Sequence, residues 1–175
     1  MIASLLEEVC LALNKSNISY MISGSMAMTL YTIPRMTRDI DIIIELNNED
    51  IDKFYDIFAS HAYIDKLTVE EEVKRRGMFN VIDHRTGYKI DFMLKKFSEY
   101  REMEFERRQF TTAFGFPMWV VSLEDLILSK IIWIQEYQSE RQMEDVKNLL
   151  RNDKADMTYI KVWCQKMDLN TFNLI

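Results

Sequence analysis

The chain has 175 residues, 48% of them hydrophobic, enough for one sizeable core and more in keeping with one domain than two. Its formal charge of −6 argues against a broad positive field for holding nucleic acid, while leaving room for a local basic cleft drawn from Arg35, Arg38, Arg75, Arg76, Arg85 and Lys130. No apolar run approaches the roughly 18 residues of a membrane span, and the start of the chain lacks a basic, apolar leader, so no membrane contact and a cytoplasmic location are expected.

From Ile2 to Leu13 the apolar residues follow helical spacing and predict an amphipathic first helix. Cys10 and Cys164 lie far apart within apolar helical patterns, which points to buried thiols and not to a zinc site or a disulfide framework. His61 and His84 have no Ser or Cys partner at a recognisable spacing, so a His-based triad is not expected.

Tyr20-Met21-Ile22 reads as a short strand entering Gly24-Ser25 and then a helix-compatible stretch, Met26 to Tyr31, closed near Pro34. At such a turn the backbone can approach an anion, although Gly-Ser suits any strand-to-helix turn. The next strand carries Asp39-Ile40-Asp41-Ile42-Ile43-Ile44, and period-two alternation puts Asp39 and Asp41 on one face. Two adjacent carboxylates repel, and a hard divalent cation completed by substrate phosphates relieves that repulsion. The alternative is a solvated strand face with Asp39 paired to Arg38 or Arg35.

Asn47 to Asp50 caps a helix with Ile51, Phe54, Ile57 and Phe58 on one side. Thr68 opens a short helix ending at Arg75-Arg76-Gly77 that is polar nearly all round, expected as a solvated connector or a mobile flap. Phe79 to Asp83 and Tyr88 to Leu94 form a hairpin around His84-Arg85-Thr86-Gly87. Ile90, Phe92 and Leu94 share one face; Lys89, Asp91 and Met93 share the other. Asp91 is then either a surface carboxylate beside Lys89 or a third member of the cluster begun by Asp39 and Asp41.

Glu99 to Arg108 is a charged helix or helical loop, and Phe110 to Val121 a second hairpin-like unit around Gly115. From Ser122, which caps Leu123 to Tyr137, the pattern is helical, with further helices over Arg141 to Arg151 and Tyr159 to Met167. Lys130 sits among Ile127, Ile131 and Ile132, so its stem is packed while its ammonium turns either inward or to solvent. Asp145 is placed to pair with Lys130 or Arg141. The expected division is an α/β core over 1–121 and a helical extension over 122–175, packed together as one compact domain.

Gly24-Ser25, thirteen residues, then Asp39-Ile40-Asp41-Ile42, with Asp91 on a later apolar strand, resembles the signature of the nucleotidyltransferase superfamily with the DNA polymerase β-like fold. Arg35-Met36-Thr37-Arg38, Ser122 to Lys130, Arg141 and Asp145-Val146 are similar to its minimal, AbiEii-toxin-like members. The resemblance implies an α/β (α+β) fold, a mixed β-sheet flanked by helices with a C-terminal helical extension. It implies transfer of a nucleoside monophosphate from a nucleoside triphosphate to an acceptor (RNA, protein or small molecule), and leaves room for a toxin-like role. Asp39, Asp41 and Asp91 would carry Mg²⁺ or Mn²⁺ in a two-metal arrangement. Gly24, Ser25 and Arg38 would bind the nucleotide, and Lys130 would neutralise developing charge. The chain is short for such toxins, so an acceptor-binding region is either missing or supplied by a protein partner; a homo-oligomer is the other assembly expected. The alternative implied by the same resemblance is a catalytically inactive module of this fold that binds nucleotide or a protein partner.

Overall fold

The computed structural model describes residues 2–34 and 36–175, so the expectation placed on Arg35 lies outside the described residues. Helix α1 (Ile2–Lys15) buries Leu5, Leu6, Val9, Cys10 and Leu13 along one stripe, as its spacing predicts. Strand β1 (Tyr20–Ile22) is buried at every position, and α2 (Gly24–Met28) follows after one residue. Helix α2 ends earlier than the expected Tyr31 and passes into turns, with the Thr29 hydroxyl donating to the Met26 carbonyl at 2.7 Å.

The remaining strands are β2 (Asp39–Ile44), β3 (Ala62–Tyr63), β4 (Met78–Asp83), β5 (Lys89–Leu94), β6 (Gln109–Ala113) and β7 (Phe116–Val120). They form one mixed sheet in the order β3-β4-β5-β2-β1-β7-β6. Strand β2 runs antiparallel to β1 and parallel to β5, and the β2–β5 register sets Asp39 opposite Lys89 and Asp41 opposite Asp91. On the opposite face Ile40, Ile42, Ile44, Ile90, Phe92 and Leu94 are buried. Helix α3 (Ile51–Phe58) covers that face with Phe54, whose ring meets Phe79 and Phe92 edge-on at 5.5 and 5.0 Å. The oily face therefore fixes the register that brings the carboxylates together.

Helix α4 (Lys66–Arg75) differs from the sequence reading. Its cap is Asp65, which accepts from the Leu67 N–H at 3.0 Å, and its Val69, Glu72 and Val73 are buried. Glu72 is buried because Arg75 pairs with it and the Met78 N–H donates to it at 3.0 Å, so α4 is packed and is neither a solvated connector nor a flap. Helix α5 (Glu99–Glu106) likewise buries Tyr100, Glu104 and Phe105.

Parallel pairing of β7 with β1 delivers the chain into α6 (Leu123–Glu136) beside the turn that opens α2. Helices α7 (Glu140–Leu150) and α8 (Met157–Lys166) then pack on α6. The fully buried Asp125 takes the Ser122 hydroxyl at 2.6 Å, the Tyr159 hydroxyl at 2.9 Å and Arg107 Nε at 3.0 Å, tying α6 to α8 and to the end of α5. Buried polar groups in such a network are tolerated because each is bonded. Both cysteines are buried and free, and burial pushes the Cys10 thiol up to about 11.

Candidate active site

Asp39 and Asp41 project from the same face of β2, and Asp91 projects beside Asp41 from β5. Asp39 is open to solvent, Asp41 is half-buried and Asp91 is buried. Gly24 closes the cluster from the α2 side. Its φ of +56° is a conformation that favours glycine, and a Cβ there would lie 2.6 Å from Asp41 Cγ and 2.8 Å from Asp41 Cβ. The Ser23 N–H donates to the Asp41 carbonyl at 2.9 Å, and the Ser25 N–H donates to the Asp41 carboxylate. The Gly24-Ser25 turn thus cradles a carboxylate, with one of its N–H groups committed to Asp41.

Burial, then the neighbouring Asp91 and Asp39 carboxylates, push the Asp41 carboxyl above the usual range; Lys130 and the Ser25 N–H oppose that shift. Lys130 is therefore close enough to be felt at Asp41. It is buried, its ammonium donating to Asp145 Oδ2 at 2.8 Å and to Gln142 Oε1 at 3.3 Å. Of the two expected partners for Asp145, the structure selects Lys130; Arg141 is exposed. Gln142 was not singled out from the sequence, although it lies three residues before Asp145 on the same face of α7.

Arg38 is exposed at the entry to β2. Three other cations expected as candidates for a basic cleft are engaged elsewhere. Arg75 pairs with Glu72, Arg76 lies over the Phe97 ring at 4.4 Å, and Arg85 reaches Glu8 at 2.6 Å and Asp83 at 3.0 Å. A cation the sequence reading left beside the cluster without a role is Lys89. Its ammonium lies 2.8 Å from Asp91 Oδ2 and 4.0 Å from Asp39 Oδ1. The hydrogen bond to Asp91 and the charges of Asp91, Asp39 and Asp41 raise the Lys89 pKa against the opposing effect of burial.

Among the described residues, no three His, Cys, Asp or Glu side chains are placed to hold a metal ion by themselves. The donor set nonetheless suits a cation shared with a ligand: Asp91 Oδ1 is buried without a hydrogen-bond partner, and Asp41 has a raised pKa among like charges. Mg²⁺ is commonly held in this way, by one or two carboxylates together with waters and phosphates.

The description "Nucleotidyl transferase AbiEii toxin, Type IV TA system" matches residues 5–167. The chain belongs to this family. No curated protein matches it by sequence. Among solved structures, this AbiEii-family chain is similar to the crystal structure of ANT(2'')-Ia in complex with adenylyl-2''-tobramycin, at 14% identity and a TM-score of 0.66, over 95% of this chain and 96% of that one. A putative nucleotidyltransferase from Thermotoga maritima is similar at 15% identity and a TM-score of 0.56, over 81% and 89% of the two chains. The lincosamide antibiotic adenylyltransferase LnuA, lincomycin-bound, follows at 14% identity and a TM-score of 0.51, over 79% and 90%. At these identities the likeness establishes the nucleotidyltransferase fold; membership of the AbiEii family makes the chain a nucleotidyltransferase. Among the described residues no helix is long and apolar enough to cross a membrane.

Proposed function

We propose that this AbiEii-family protein transfers a nucleoside monophosphate from a nucleoside triphosphate to an acceptor hydroxyl, with Mg²⁺ or Mn²⁺ as cofactor. The observation that carries this reading is the register that sets Asp41 against Asp91, with Asp39 on the same face and the Gly24-Ser25 turn closing over them. The chemistry is attack of the acceptor oxygen on the α-phosphorus: an O–P bond forms, the bond to pyrophosphate breaks and pyrophosphate leaves, and the hydroxyl proton passes to water. Asp39, Asp41 and Asp91 are the residues to hold the metal, which when bound shields phosphate charge and lowers the pKa of the attacking hydroxyl.

The protein's own groups do the positioning. Gly24 lets the backbone approach the carboxylates, and the Ser25 hydroxyl and Arg38 are assigned to the triphosphate. Lys130, held by Asp145 and Gln142, supplies a fixed positive charge where the reaction gathers negative charge. A small-molecule acceptor is in keeping with the antibiotics in the ANT(2'')-Ia and LnuA structures. RNA and protein are the other acceptor classes, and a toxin role under control of a protein partner, or in a homo-oligomer, is in keeping with the family's description. The cytoplasm, where triphosphates and Mg²⁺ are plentiful, is the compartment this chemistry needs.

The test is thermal stability of wild type and Asp39→Ala with each ribonucleoside triphosphate, with and without Mg²⁺. A ligand that binds only the folded state raises the midpoint by mass action. We expect a Mg²⁺-dependent rise in wild type that is lost in the variant. A rise of equal size in Asp39→Ala would remove the carboxylate cluster from the proposal.

A further inference from the structure

Lys89 stands two residues before Asp91 on β5, on the same face, and directly across from Asp39 on β2. Its ammonium bridges the two carboxylates, 2.8 Å from Asp91 Oδ2 and 4.0 Å from Asp39 Oδ1. In a two-metal arrangement the third carboxylate helps to hold a second cation. Here a cation that the chain itself supplies already sits between Asp39 and Asp91.

Asp91 Oδ2 is turned to Lys89, and its Oδ1 is left without a hydrogen-bond partner.

We propose that Lys89 is a built-in cation that occupies the Asp39–Asp91 edge of the site, so that the protein takes up one divalent ion where a two-metal site takes up two. The proposal rests on the metal-dependent reading given above and narrows it. Lys89 is a positioning residue: it holds Asp91 and Asp39 in place and excludes a second metal from between them.

The experiment is titration of the nucleotide-free protein with Mn²⁺ alone, following free Mn²⁺ by electron paramagnetic resonance, for wild type, Lys89→Gln, Lys89→Arg and the double variant Lys89→Gln/Asp91→Asn. The Lys89 side chain is 40% exposed, so the glutamine leaves the packing intact, and a thermal melt confirms that each variant is folded. Wild type is expected to bind one ion. Lys89→Gln is expected to bind Mn²⁺ at least about tenfold more tightly and to admit a second ion, since one adjacent unit charge shifts ion binding at a carboxylate by that order. Lys89→Arg should behave as wild type, and the double variant should lose the gain. Equal affinity and count in wild type and Lys89→Gln, or two ions in wild type, would overturn the role of Lys89 while leaving the metal-dependent reading standing. Mn²⁺ uptake by neither protein would overturn this proposal, and the metal-dependent reading is judged separately by the Mg²⁺-dependent melts with triphosphate.

Discussion

Gly24→Ala probes the join between the turn and the carboxylates with a single methyl group. Two costs add. An L residue forced into the left-handed region at φ +56° loses about 1 to 2 kcal/mol. The new Cβ would also sit 2.6 Å from Asp41 Cγ and 2.8 Å from Asp41 Cβ, and overpacking of that kind costs about 1 to 3 kcal/mol. The total, about 2 to 5 kcal/mol, is a large share of the roughly 5 to 15 kcal/mol that holds a domain folded. In urea unfolding it corresponds to a midpoint lowered by about 1 to 2 M at ordinary slopes. Repeating the substitution in an Asp41→Ala background separates the two costs. Without the carboxylate only the Cβ contact and the backbone cost survive, so the penalty should shrink without vanishing. A Gly24→Ala protein within about 0.5 kcal/mol of wild type, or one that pays the same penalty in both backgrounds, would refute the close approach of this turn to Asp41.

Lys130→Met should cost about 1.5 to 3 kcal/mol, because it removes the ammonium that donates to the buried Asp145 carboxylate. Lys130→Met/Asp145→Leu should regain most of that stability in chemical denaturation and still lack nucleotidyl transfer; transfer at the wild-type rate would remove Lys130 from the site. Asp83 is buried, which alone would raise its pKa, but the Thr86 and Arg85 hydrogen bonds outweigh burial and hold its carboxyl below the usual range. Its folded pKa is depressed, so its stabilisation is present above the unfolded value near 3.9 and is lost as pH falls through the folded one. Asp83→Asn should therefore flatten that part of the acid limb of stability against pH, and an unchanged slope would count against the assignment.

The carboxylate cluster was legible because β-strand alternation is local: Asp39 and Asp41 fall on one face whatever the strand pairs with. That Asp41 stands against Asp91 was not, since parallel pairing joins strands fifty residues apart and is set by how Ile42 and Phe92 pack. Helical spacing showed that the Lys130 stem is packed. It could not choose between Lys130 and Arg141 as the partner of Asp145, because that choice depends on the rotation of α7 against α6. Helix α4 was misread because a glutamate counts as polar in any pattern, whereas Glu72 is buried with Arg75 and a backbone N–H as its partners. The placing of Asp91 beside Lys89 follows the i, i+2 geometry of a strand and was legible from it; the reach of Lys89 to Asp39 required the fold.

The site also has a sequence in time. Asp41 comes from the first quarter of the chain, Asp91 from the middle, and the Lys130–Asp145 pair from helices that emerge later still. During synthesis the early part can form the Gly24 turn, but the interior strand β1 lacks its β7 neighbour until residue 120 has been made. A chain cut short before α7 carries the three aspartates without the lysine–aspartate pair that faces them. The charges that meet around Asp41 are thereby assembled from the beginning, middle and later parts of the chain, and only folding brings them together.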